Sequence, residues 1–164
     1  MAFQKQVSYT WAPAVEGDFA STNPRASAMS IDGLRAGDDG VTIGVFAWVK
    51  DDGVTVVNQQ TAKDIKPTGF VRRGINTAIV GYMQNATMTY QPGMPLSLQT
   101  MGDYWARSKN GGTRGQKIFV STKDGSVLCD EAGVSKTDYI ETDWYCALTA
   151  NANELVIISS TAVY

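Results

Sequence analysis

The sequence predicts an all-β protein, and three observations carry that expectation. Runs of β-branched and aromatic residues recur at short intervals, Asp-Gly turn signals separate several of them, and the composition is poor in charge and rich in glycine. Charged residues make up 18% of the chain, below the roughly 25% of an average globular protein. Sixteen of 164 residues are glycine, against an average near 7%. Few strong helix formers cluster, so short strands joined by turns are the expected architecture. A hydrophobic content of 43% over 164 residues is enough for one domain with a real core, since domains typically run to about 100–150 residues.

In chain order, the first feature is an irregular stretch, Ala12-Pro13-Ala14-Val15-Glu16-Gly17-Asp18-Phe19-Ala20-Ser21-Thr22-Asn23-Pro24-Arg25. Its apolar residues neither alternate nor recur at helical spacing. Pro13 and Pro24 remove backbone donors and bias their predecessors towards extended forms. Trp11, Val15 and Phe19 supply apolar anchors that a solvated tail would not need. Such a segment lies across a surface, its own or a partner's, and the sequence leaves both open. Residues 1–28 are therefore read as an extended N-terminal arm and 29–164 as a single β-sandwich domain.

After the arm, residues 41–49 are filled with β-branched and aromatic side chains and read as a strand. Asp51-Asp52-Gly53 then leads into 54–57, a hairpin signal because Asp and Gly tolerate the positive φ of the turn. Lys123-Asp124-Gly125-Ser126 repeats that device between 117–122 and 127–129. Further strands are expected at 69–72, 78–83, 87–90, 96–101, 144–149 and 155–160. In 96–101, Leu96, Leu98 and Thr100 share one face and Ser97 and Gln99 the other, the period-2 pattern of a half-buried strand. Many short strands divided by turns argue a sandwich or barrel; a jelly-roll-like β-sandwich is the expected form.

Several function classes are excluded. The chain has no His, which removes Ser-His-Asp and Cys-His catalysis and His-based zinc sites. Its formal net charge is −2, without the clustered cations of a nucleic-acid binder. Cys129 and Cys146 lack metal-ligand spacing, and reduced buried thiols are the expected state, although spacing does not decide a disulfide. No apolar run approaches the roughly 20 residues of a membrane span, and residues 1–7 lack the apolar core of a signal peptide. The loop 108–115 ends in Gly115-Gln116-Lys117 rather than the Gly-Lys-Ser/Thr of a phosphate loop. The acid pairs Asp38-Asp39, Asp51-Asp52 and Asp130-Glu131 fall in turns, and neighbours along a strand diverge to opposite faces. They are expected to be solvated turn acids. Asn85-Ala86-Thr87 matches a glycosylation pattern that has no meaning without a secretory route.

The aromatics allow two readings. Trp11, Trp48, Trp105 and Trp144 with the tyrosines suit either a β core or a stacking platform for sugars. Trp48 lies in an apolar strand and is expected in the core. Tyr104-Trp105, flanked by Asp103 and Arg107, suits an interface, where Tyr, Trp and Arg are enriched. Arg72-Arg73 at a strand end is either a solvated edge or a cationic contact to acidic groups of a partner.

The stretch from Ala12 to Ser21 resembles the N-terminal signature of the tailed-bacteriophage head structural cement proteins. Further similarity follows in order at Gly69-Phe70-Val71-Arg72-Arg73, Gly102-Asp103-Tyr104-Trp105-Ala106, Gly115-Gln116-Lys117-Ile118-Phe119-Val120 and Glu154-Leu155-Val156-Ile157-Ile158-Ser159. Residues 123–139 match nothing in that pattern, and Asn153 stands where Gly is expected. The resemblance implies a virion structural protein on the outer surface of the head, made in the bacterial cytoplasm. It implies binding to the major capsid protein of the shell and cementing of neighbouring subunits, with no catalysis and no cofactor or metal. A homodimer is expected, because two-fold closure is commonest; a trimer is the alternative. The residues expected to touch the partner are Trp11, Val15, Phe19, Arg25, Arg72, Arg73, Tyr104 and Trp105. A carbohydrate-binding β-sandwich is the competing reading.

Overall fold

The computed structural model describes residues 14–74 and 87–161. The expected strand 78–83 and Trp11 lie outside them. Among the described residues every regular element is a strand, as the composition predicts.

Seven strands form one sheet in the order β1 (Ala26–Ser27), β9 (Leu98–Met101), β6 (Gly69–Val71), β4 (Phe46–Val49), β5 (Thr55–Val57), β2 (Leu34–Ala36) and β8 (Pro95–Leu96). Only Ser97 separates β8 from β9, so the far edge of this sheet must curl round to meet β9. The result is a small barrel-like layer. Its inward side chains, Leu34, Ala36, Ala47, Val56, Val71 and Leu98, form one core with Val41, Ile43 and Tyr90. The last three come from or adjoin a two-stranded ribbon, β3 (Val41–Thr42) with β7 (Thr89–Tyr90).

A second sheet has the order β10 (Asp103–Arg107), β14 (Leu155–Ser159), β13 (Tyr139–Cys146), β11 (Lys117–Ser121) and β12 (Val127–Asp130). The other core lies between the two layers. Phe46, Trp48 and Phe70 of the curled sheet meet Tyr104, Ala106, Ile118, Val120, Trp144, Val156 and Ile158 of the second sheet. Strand alternation explains the division: Phe46 and Trp48 point to one core and Ala47 to the other. Fully burying such side chains is worth about 1.5–3 kcal/mol each. Sheet facing sheet is the sandwich expected from the sequence. The strand order, with β2 running parallel to β5, gives no support to the jelly-roll connectivity.

Local departures have physical causes. The predicted strand 41–49 is cut into β3 and β4, because Gly44 takes φ +76° and turns the chain from the ribbon into the curled sheet. Gln99, expected on the solvated side of its strand, is 4% exposed, because the second sheet covers that face. Its amide nitrogen donates to Ser27 and Ser97. Both Asp-Gly turns fall where predicted, joining β4 to antiparallel β5 and β11 to antiparallel β12. Trp48 is in the core as expected, its indole N–H donating to the Ile65 carbonyl at 2.9 Å. Cys129 and Cys146 are free and buried. Their sulfurs flank Gly112, where an added Cβ would lie 2.7 and 2.9 Å from them. The hydrogen bond to the Cys146 thiol, together with burial, pushes the Cys129 thiol above its ordinary range. At Cys129 this does not favour a reactive thiolate.

Candidate functional site

The described part of the arm seals the junction of the two sheets. Gly17 N–H donates to the Trp105 carbonyl at 2.8 Å, Trp105 N–H to Asp18 at 3.0 Å, and Ala20 N–H to Asp103 at 3.0 Å. On the other side, Arg73 N–H donates to the Gly17 carbonyl at 3.0 Å. One arm residue thus bridges β10 of the second sheet and the end of β6 of the curled sheet. The approach is close enough to require glycine: Gly17 has φ +84°, and a Cβ there would lie 2.5 Å from Ile43 Cγ2 and 2.8 Å from Arg73 N.

Phe19 gives the seam its apolar anchor. Its ring lies 5.5 Å from that of Tyr104, which in turn lies 5.3 Å from Phe70 and 6.0 Å from Trp144. An unbroken aromatic path therefore runs from the arm into the inter-sheet core. The guanidinium carbons of Arg25 and Arg72 lie 4.0 and 4.9 Å from the centre of the Phe19 ring. The sequence-predicted Phe19, Arg25, Arg72, Arg73, Tyr104 and Trp105 therefore converge, although they come from three separated stretches. Val15 lies beside them, 44% exposed.

They do not play one role. Tyr104 is wholly buried, so it supports the seam from beneath and presents nothing to a partner. Its hydroxyl lies 3.0 Å from Gln99 Oε1 and 3.1 Å from the Met101 carbonyl. Burial pushes that hydroxyl above its ordinary pKa, Arg25 and Arg72 pull it back, and Asp103 pushes it up. Trp105 points to the opposite side of β10 from Tyr104 and is 9% exposed, so its contribution to the seam is its backbone. Arg73 is paired with Asp18 at 3.5 Å. Arg25 is exposed and Arg72 half-buried.

The polar frame of the seam has no local signature in the sequence. Asp103 Oδ2 accepts from Ser21 Oγ at 2.5 Å and from Asn23 Nδ2 at 2.6 Å. Glu16 pairs with Arg107. Each pair joins residues some 80–90 positions apart, a separation at which no motif spacing operates. In the sequence Arg107 stands out only as a polar neighbour of Tyr104-Trp105, and Asp103 as that and as part of the similar segment 102–106.

Other candidate sites do not assemble. Asp52 caps its own turn, accepting from Thr55 Oγ1 and from the Thr55 and Val54 amides; these bonds hold its carboxyl down at about 2. It borders an open polar cleft of about 670 Å³ that also carries Asp39, Asp51, Lys50 and Lys123. Asp130 is held low by Lys136 and by the Glu131 amide. Asp52 is a turn acid, as expected, whereas Asp130 is the last residue of β12, paired with Lys117, rather than a turn residue. Among the described residues no group of three metal-ligating side chains is present, and Trp48, Trp105 and Trp144 are all buried, so none offers a face for sugar stacking.

A model of the XM1 gp53 minor capsid protein family matches residues 3–160. The chain belongs to that family. It is a family of phage capsid structural proteins, as the resemblance in the arm and along the body implied. Among solved structures, a chain from the capsid of Myoviridae Phage XM1 is similar in fold, with a TM-score of 0.65 at 14% identity over 98% of both chains. No curated protein matches the sequence. Membership of a minor capsid family makes this a capsid-associated component of the virion.

Proposed function

We propose that the protein cements the phage head, binding the outer surface of the assembled shell and bridging neighbouring major-capsid subunits without catalysing a reaction. The observation that carries this reading is the family match across nearly the whole chain. The seam supports it, because it presents the exposed Arg25 and the half-buried Arg72 at the junction of the two sheets. A ligand that binds only the intact lattice stabilises that lattice by mass action, so modest contacts repeated over a shell raise its resistance to rupture. Specific contacts of this kind bury roughly 1,200–2,000 Å² in total. A two-fold dimer is the proposed assembly, the commonest closed symmetry.

Heads purified from a phage lacking this gene provide the test. Adding the purified chain is expected to give saturable co-sedimentation and a higher temperature of DNA release. Saturable binding without a change in release temperature would leave a decoration protein that does not cement. Failure to bind intact heads would overturn the reading.

A further inference from the structure

We infer that Arg25 and Arg72, gathered on the Phe19 ring, form a two-guanidinium clamp for a carboxylate side chain of the capsid partner. The inference rests on the cementing reading and gives its contact surface a chemistry. Both guanidinium carbons lie within 5 Å of the same ring centre, at 4.0 and 4.9 Å. A guanidinium held over a ring keeps its in-plane N–H forks for another partner.

Among the described residues those forks have no acceptor. Among the described residues neither side chain makes an ion pair, whereas their seam neighbours Arg73 and Arg107 each have a carboxylate within 4 Å. Neither donates a hydrogen bond to a described residue. Segments 1–13, 75–86 and 162–164 contain no Asp or Glu, so no acidic side chain of the chain remains to fill the clamp. Asp103 is the acid whose charge is felt at Tyr104 together with theirs. Its Oδ2 is already taken by the neutral donors Ser21 and Asn23. Two like charges are thus brought to one ring with the local anion engaged elsewhere. An incoming carboxylate would relieve their repulsion and accept charge-assisted hydrogen bonds from these N–H groups, the pairing that arginine favours.

The surroundings select a protein carboxylate over a nucleic-acid backbone. Glu16, Asp18 and Asp103 line the same seam, and the whole chain carries −2. A nucleic-acid backbone needs cations clustered along a face, which two guanidinium groups at one ring do not supply.

The test uses full-length Arg25→Gln/Arg72→Gln protein, sedimented with heads from a phage lacking this gene, at several salt concentrations. Wild type is expected to bind with an affinity that falls as salt rises. The double variant is expected to bind at least about tenfold more weakly, a loss of about 1.4 kcal/mol, with its Tm within about 2 °C of wild type. Arg25→Lys/Arg72→Lys keeps the charges but loses the forks, and is expected to fall between the two; it decides the matter if the Gln variant is unstable. Wild-type affinity in both variants would overturn the clamp while leaving the cementing reading intact. No binding by wild type would overturn both. Binding to duplex DNA that the Gln variant abolishes would overturn the carboxylate in favour of phosphate.

Discussion

The stretch 14–25 and the loop 28–33 follow one another, both lack a period, and both carry large apolar residues, yet they dispose of those residues in opposite ways. In the first, Phe19 packs against the inter-sheet core and Gly17 is hydrogen-bonded on both sides. In the second, Met29 and Ile31 are each 91% exposed. That loop is held by Ala28 N–H donating to the Leu98 carbonyl at 2.8 Å and by Ser30 Oγ against the Gly53 carbonyl at 3.3 Å. The difference lies in the backbone. Residues 17–20 run along the open side of β10, whose N–H and C=O groups satisfy theirs, so ordering the segment also completes an edge strand. Beyond Ala28, which still bonds to β9, residues 29–33 have no such edge beside them, and the Met29 and Ile31 side chains stay in water. Irregular sequence therefore says little about whether a segment docks; an unpaired strand edge within reach decides it.

The strongest way to break this comparison is Gly17→Ala. A side chain there must adopt positive φ and enter space held by Ile43 and the Arg73 amide. The expected cost is about 3 kcal/mol, a drop of roughly 6–12 °C in Tm for a domain of this size. A neutral substitution, read by thermal unfolding, would mean the seam is not closed at Gly17. Next comes Phe19→Ala, which removes the half-buried ring between Tyr104 and the two arginines. About 2 kcal/mol is expected, below the range for a fully enclosed Phe, in a urea titration with unchanged m-value. A cost under about 0.5 kcal/mol would place Phe19 with Met29 and Ile31, on the undocked side of the comparison. The smallest effect belongs to Met29→Ser/Ile31→Ser. Substitutions at such exposed positions stay within about 0.5 kcal/mol, and a marked loss of stability in the same titration would show that the loop is packed after all.

Much of the fold was legible in the residues. The Asp-Gly turns at Gly53 and Gly125 were local signals, because the turn geometry depends on the turn residues themselves. Leu98 and Gln99 were correctly assigned to opposite faces. What solvated either face was not legible: alternation tells which side chains point the same way and says nothing about a second sheet above them. The interruption of 41–49 was marked by Gly44, but glycine also occurs in continuous strands, and only the positive φ separates the cases. For the seam, the apolar anchors and the arginine pair stood out as residue types in unusual places. The polar frame did not, since Ser21, Asn23 and Asp103 look ordinary until folding brings them together.

Composition, turn chemistry and the absence of histidine determined from the sequence alone that this is a β-rich chain built of short strands and without histidine-based chemistry. The similarity of its arm and body to head proteins pointed to the virion. Tertiary structure alone decided that the sheet curls back on β9, that the described arm lies on its own domain, and that Arg25 and Arg72 share one ring while their neighbours are paired. The reason is range. Local preferences are set by residues a few positions apart, whereas the seam joins 16–25, 72–73 and 103–107, and which of those groups end up paired is settled only when two sheets close against each other.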